Sequence, residues 1–164
     1  MSEKNKSDML RAPFKLEYDY ERSTGPIIGK FFEGLSNQQI LGTKNGDNVY
    51  VPAAEFDPIT YEHLSEFVEL PETGTVKSFT WIDQPRKHHL INKPFAFALI
   101  QIDGATSSIL HMITNCNESD IEVGSRVKVS WSEEKTETIK DISHFELINE
   151  LSLIHISEPT RPVP

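Results

Sequence analysis

The sequence predicts a mainly β protein: a five-stranded closed barrel in the second half of the chain, preceded by one helix and a small hairpin. Three observations carry that prediction. Thr75 to Ile82 mixes β-branched and aromatic side chains, as strands do. Phe95 to Ile102 is apolar at almost every position, which predicts a strand buried on both faces. Asp103-Gly104 then supplies turn chemistry and further strand-like runs follow, so closure into a barrel is the natural way to remove the sheet edges.

Composition frames the rest. At 164 residues the chain is one domain, or one domain with a small appendage, and long enough for a real core. Its hydrophobic content of 37% is low for a globular domain because polar ends dilute it. A formal net charge of −9, with 16 Lys and Arg against 25 Asp and Glu, argues against a sequence-independent nucleic-acid binder, which must neutralise phosphates. The single cysteine, Cys116, excludes an intrachain disulfide and a Cys-rich zinc site. The N-terminal MSEKNKSDMLR lacks the apolar run of a secretory signal, and no stretch is long and apolar enough to span a membrane. The expectation is a reduced, cytoplasmic protein without a nucleic-acid or membrane partner.

Taken in order, residues 1–22 are expected to be a flexible or extended arm. Within it Phe14, Leu16, Tyr18 and Tyr20 alternate with Lys15, Glu17 and Asp19, a period of two that suggests an extended segment laid on a surface. Ser23 or Thr24 caps a predicted helix within 23–37, with Pro26 in its first turn and Gly34 or Asn37 to end it. Ile27, Ile28, Phe31, Phe32 and Leu35 form its apolar stripe. That stripe suits a helix packed on its own barrel; because it spans a broad arc, it equally suits a partner, with Ile28, Phe31, Phe32 and Leu35 as the docking residues. Gly25 and Gly29 share a face and would permit close backbone approach. From Gln39 the pattern becomes strand, Asn45-Gly46-Asp47-Asn48 turn, strand, with a second turn at EFDPIT and one helical turn expected over Tyr61 to Glu66. Phe67, Val68 and Leu70 lead into the barrel.

Beyond the central pair, Ser108 to Thr114 predicts the third strand, Arg126 to Ser132 the fourth and Thr138 to Leu147 the fifth, the last with Ile139, Ile142 and Phe145 as core. Five short strands fit an oligonucleotide/oligosaccharide-binding (OB) type barrel. The segment Leu151 to Arg161, LSLIHISEPTR, looks like translated transposase-type sequencing adapter. On that reading 151–164 is a non-native tail, His155 is no ligand, and the native C-terminus is expected to be missing.

No catalytic constellation is evident. There is no G-x-S-x-G nucleophile turn and no Gly-rich phosphate cradle. His63, His88-His89 and His111 lack spaced Cys partners for a metal, and Cys116 reads as a bystander.

The helix STGPIIGKFFEGL, the hairpin ILGTKNGDNVYVPAAEFDP, the strand-bearing FVELPETGTVKSFTWI and the closing GSRVKVSW together resemble the acyl-CoA-associated OB-fold family with a rubredoxin-like zinc ribbon, long catalogued as domain of unknown function thirty-five. The resemblance runs from Tyr18 to Leu147. It implies a division into helix (23–37), ribbon hairpin (38–70) and barrel (71–150). Many members carry two Cys pairs in the ribbon; the corresponding places here are Thr43, Gly46, Asp57 and Thr60, so the hairpin is expected to be metal-free, held by Ile40, Val49, Val51 and Phe56. The resemblance further implies a non-catalytic companion of a thiolase-like or aldolase enzyme acting on acyl-CoA in lipid or steroid side-chain metabolism, with no cofactor of its own.

The residues add one candidate contact. The loop Gln84 to Lys93 carries Arg86, Lys87, His88, His89 and Lys93 and no acid, in an acidic protein. A coenzyme A phosphate or an acidic partner surface would suit it; a solvated loop is the plain alternative. A second reading of the whole chain is a nucleic-acid-binding OB module, with Phe79, Trp81 and Trp131 available to stack bases.

Overall fold

The structure, a computed structural model, describes residues 10–149. The adapter-like segment lies outside the described residues. Helix α1 (Gly25–Ser36) begins where Ser23 Oγ accepts the Gly25 N–H at 3.2 Å; Thr24 stands at the N-cap but its side chain makes no capping bond. Asn37 closes the helix, its backbone N–H and Nδ2 both donating to the Glu33 carbonyl, and Gln38 then turns the chain in the left-handed region. Gly34 does not end the helix. It sits buried in the last turns, where an added Cβ would come within 2.9 Å of Leu41 Cδ1, so it is the glycine that permits close approach. Gly25 and Gly29, expected in that role, face no neighbouring element.

Strands β1 (Ile40–Asn45) and β2 (Asn48–Tyr50) form the predicted hairpin across a two-residue turn, with Gly46 at φ 59°. The other edge of β1 takes up β3 (Phe67–Leu70), with Ile40 opposite Leu70 and Thr43 opposite Phe67, so the residues expected to lead into the barrel build a third strand instead. The expected helical turn at Tyr61 to Glu66 is absent. Tyr61 adopts a φ of 62° and folds the chain back, so that Phe56 bridges His63 antiparallel. One loop hydrogen-bonds the sheet to the barrel, where the Thr106 N–H donates to the Val49 carbonyl and the Val49 and Val51 N–H groups donate to Thr106 Oγ1 and Ser107 Oγ, and Ile40, Val51 and Ala53 join the barrel's core.

The barrel comprises β4 (Thr73–Ile82), β5 (Phe95–Ile102), β6 (Ile109–Ile113), β7 (Arg126–Trp131) and β8 (Ile142–Leu147), closed in the order β4-β5-β6-β8-β7. The five-strand OB-type prediction is correct. All neighbouring pairs are antiparallel except β6 and β8. A register shift between Val76 and Ser78 bends the long β4, and Gly74 lets it cross β5 closely, since a Cβ there would stand 2.7 Å from the Gln101 carbonyl. Val76, Ile100, Ile113, Val127, Ile142 and Phe145 fill the interior, and Ile27, Phe31 and Leu35 of α1 belong to the same core. Burying Phe31 or Leu35 contributes about 1.5–3 kcal/mol each.

Two expectations about the strands fail. β5 is not buried on both faces: Ala96, Ala98, Ile100 and Ile102 point inward, while Phe97 and Leu99 lie on the outside, and Phe95 on that same outer face is covered, its ring against Phe97 and His89. β8 starts four residues late, because Ile139 to Asp141 form a 3₁₀ turn, which leaves Ile139 37% exposed rather than in the core. The arm fails in a third way: Phe14, Leu16, Tyr18 and Tyr20 are each more than two-thirds exposed, so it lies on no surface of its own chain.

Candidate functional site

The loop between β4 and β5 folds back at Arg86 to His89. The Arg86 carbonyl accepts the His89 N–H, and His89 Nδ1 accepts the Arg86 N–H, both at 2.9 Å. The His89 ring then meets Phe95 and Phe97 edge-on, with centroids at 5.3 and 6.0 Å. Burial, helped by the charges of His88 and Arg86, pushes the His89 pKa down, in keeping with a neutral ring whose Nδ1 accepts a proton-bearing neighbour.

The five predicted loop residues do not converge on one point. Arg86, His88 and His89 line a hollow of about 320 Å³ with Trp81, Asp83 and Gln84. Lys93 instead faces a hollow of about 500 Å³ lined by Trp81, Asp83, Cys116, Glu118 and Asp120, and its Nζ donates to Asn115 Oδ1. Lys87 is exposed and lines neither. Asp83, just before the loop, brings a carboxylate to both hollows, and Glu118 and Asp120 add two more beside Lys93. The Arg86 side thus carries fewer carboxylates than the Lys93 side. Burial and Asp120 push the Cys116 thiol up, away from thiolate chemistry.

The helix predicted for docking is used from within. Phe31 and Leu35 are 1% and 0% exposed against the chain's own core, so neither is offered to a partner. Ile28 stands 38% exposed and Phe32 is half-buried, leaving one narrow outer edge.

Three features escaped the sequence reading. The first is the outer face of β5 and β6. Phe97 pairs across the strands with Met112, and Leu99 with Leu110; Leu99 and Leu110 are 42% and 62% exposed. Ser78 and Thr80 of β4 continue this face beside Leu99 and Phe97. None of the six carries a charge. The alternation is present in the sequence, but apolar residues on both faces look the same whether the second face meets solvent or protein.

The second is a hydrogen-bonded chain across the strand ends: Ser143 Oγ to His144 Nδ1 at 2.9 Å, His144 Nε2 to Glu146 Oε1 at 2.9 Å, and Asn115 Nδ2 donating to that same oxygen at 2.6 Å. His144 and Asn115 hold the Glu146 carboxyl below its usual range. A register shift opposite Ser130 and Trp131 aligns Ser143 with its neighbour His144. The chain ties β8 to the loop after β6.

The third is the surroundings of the four ribbon places. Thr43 Oγ1 donates to the Ala54 carbonyl and accepts the Ala54 N–H, both at 2.8 Å. Gly46 forms the turn. Asp57 is 1% exposed, with every carboxylate contact a donor from the protein. Thr60 Oγ1 donates to Glu62. Zinc with sulfur ligands does not fit this set: there is no thiolate or imidazole, and the one carboxylate is occupied. Among the described residues no three His, Cys, Asp or Glu side chains converge as metal ligands.

Residues 67–132 match the family model of the ChsH2 C-terminal OB-fold domain. Two solved structures are similar. One, described as a protein of unknown function from the DUF35 family of Sulfolobus solfataricus, shares 22% identity over 76% of this chain and 85% of that one, with a TM-score of 0.55. The other, described as an Ltp2-ChsH2(DUF35) aldolase, shares 17% identity over 77% of this chain and 98% of that one, with a TM-score of 0.58. No curated protein matches the chain.

Proposed function

We propose that this chain, a DUF35-family OB-fold protein through its barrel, is a non-catalytic accessory subunit of a thiolase-superfamily enzyme, a thiolase or an aldolase, that acts on acyl-CoA in lipid or steroid side-chain metabolism. One observation carries the reading: the uncharged outer face of Phe97, Leu99, Leu110 and Met112 on a chain whose net charge is −9. Neighbouring large apolar side chains exposed on the outside of a barrel mark an interaction surface. The description of one structural neighbour, which joins ChsH2(DUF35) with Ltp2 in an aldolase, supports a protein partner of that kind. The edge of α1 at Ile28 and Phe32 is a second docking element. Arg86, with Lys87 beside it, is the contact for a coenzyme A phosphate; the sub-site needs no metal and no cofactor of its own. A nucleic-acid module would need basic residues interleaved with stacking aromatics, whereas Phe97, Leu99, Leu110 and Met112 are uncharged and Arg86 and Lys87 lie together on the loop that packs His89 against Phe97.

The test is co-expression with a thiolase-like protein of the same source. Leu99→Asp with Leu110→Asp is expected to abolish co-purification, since burying two Leu side chains is worth about 3–6 kcal/mol. The variant alone should keep its circular dichroism. In the assembled enzyme, Arg86→Ala with Lys87→Ala is expected to raise KM for acyl-CoA. Undiminished co-purification of the double Asp variant would refute the docking face.

A further inference from the structure

We propose that the Asp57 carboxylate is the organising centre of the small sheet, gathering by negative charge the segments that a cation gathers in a metal-binding ribbon. Oδ1 accepts the backbone N–H groups of Ile59 and Thr60 at 2.7 and 2.9 Å. Oδ2 accepts Asn45 Nδ2 at 2.9 Å and the Tyr50 hydroxyl at 3.1 Å. The donors come from the end of β1, the end of β2 and the loop that follows them. Three separate stretches of chain thus converge on one buried ion, which is the topological task of a structural metal with the sign inverted: an anion ringed by four donors, where a metal site is a cation ringed by four anions.

The places that correspond to ligands keep their organising role while changing their chemistry. Asp57 is the ion itself, Thr60 supplies a donor through its backbone, Thr43 clasps Ala54 in both directions, and Gly46 makes the turn between the strands. Asn45 Nδ2 reaches further, to Glu62 Oε2 at 3.3 Å, and Thr60 Oγ1 donates to the same oxygen, which closes the ring on the solvent side. A buried carboxylate is tolerated only where donors replace its water, and here every replacement comes from the sheet it organises. The Tyr50 phenol is pushed up by burial and then by Asp57, so it stays a donor. The geometry has a direct corollary. The sheet folds in the absence of zinc, and what it cannot lose is the charge at position 57.

The experiment uses the full chain. Wild type, Asp57→Asn and Tyr50→Phe are melted thermally, each with chelator, with added zinc and with neither, and residues 40–70 are followed by amide hydrogen exchange. Wild type is expected to melt alike in all three conditions. Asp57→Asn keeps the shape, removes the charge and turns one acceptor into a donor facing donors. It should melt lower by roughly 5–15 °C and exchange faster from Thr43 to Thr60, while β5 and β7 keep their protection. Tyr50→Phe removes one donor and leaves the ion, so it should fall between the two, and it decides the question if Asp57→Asn fails to fold. A wild-type melt lowered by chelator or raised by stoichiometric zinc overturns the proposal. So does an Asp57→Asn or Tyr50→Phe variant that melts with wild type.

Discussion

The small sheet and the barrel solve the same problem by different means. The barrel closes on itself and fills its interior with Val76, Ile100, Ile113, Val127 and Phe145, all at 0% exposure or close to it. The three-stranded sheet is too small to enclose a core. It buries Ile40, Val51 and Leu64 against its surroundings and sets a polar knot around Asp57 where a larger fold would set hydrocarbon. A core stabilises without direction and tolerates repacking, whereas a knot of charge-assisted hydrogen bonds stabilises through one geometry and one protonation state. The two regions should therefore fail under different insults.

The largest effect is expected from the barrel. Phe145→Ala removes a fully buried ring and should cost about 3–5 kcal/mol. Because the sheet is fastened to the barrel through Thr106 and Ser107, both regions should be lost in one transition; urea denaturation followed by fluorescence and by circular dichroism checks whether the curves coincide. Separate transitions would show that the sheet stands alone.

Acid should act in the opposite sense, on the sheet first. The backbone N–H of Thr60 leads the hydrogen bonds that lower the Asp57 pKa from 3.8 to about 2. A carboxylate with a depressed folded-state pKa contributes its full stability above the unfolded value, and loses it as pH falls through the folded one. Exchange from Thr43 to Thr60 should accelerate as pH drops from about 4 to about 2, beyond the intrinsic pH dependence of unstructured peptide. The barrel also holds depressed carboxyls, at Asp103 beside Arg126, at Glu146 beside His144 and at Asp141. At Asp141 burial pushes upward, and hydrogen bonds from Thr136 and Glu137 outweigh it. The barrel has its apolar core to fall back on, and protection in β5 is expected to outlast that in β1.

The smallest effect is expected from the ion pair at the barrel rim. Arg126 forks onto both oxygens of Asp103 at 2.7 and 2.6 Å and also donates to Thr75 Oγ1. Both side chains are about a third exposed. Arg126→Lys keeps the charge and loses the fork, so it should cost no more than about 1 kcal/mol. Melting at low and high salt checks this, the difference from wild type shrinking as salt rises.

The fold was legible where one physical signal dominates. The helix stripe from Ile27 to Leu35, the Asn45 to Asn48 turn and the run from Phe95 to Ile102 each appear where periodicity and turn chemistry put them. Signals that depend on a distant partner were not legible. Asp57-Pro58-Ile59-Thr60 announces a local turn, but nothing local says that Asn45 and Tyr50 complete it. Whether Phe97 and Leu99 meet solvent depends on what lies beyond the sheet, which hydropathy along one chain does not encode. The loop from Gln84 to Lys93 reads as basic, but its spacing along the chain does not show that Arg86 and Lys93 face different hollows.

The parallel contact between β6 and β8 has a consequence for how the barrel comes together. It rests on a single bridged pair, Ile113 with Phe145, supported by the Thr114 N–H donating to the Phe145 carbonyl at 3.2 Å. Cut there, the ring becomes an open sheet in the order β6-β5-β4-β7-β8, antiparallel throughout. Every long ladder can form before that cut is closed. Closure then adds little backbone hydrogen bonding and chiefly brings the side chains of the two end strands together. The Ile113–Phe145 seam is thus the join in the ring with the least backbone pairing, held by packed side chains rather than by a ladder.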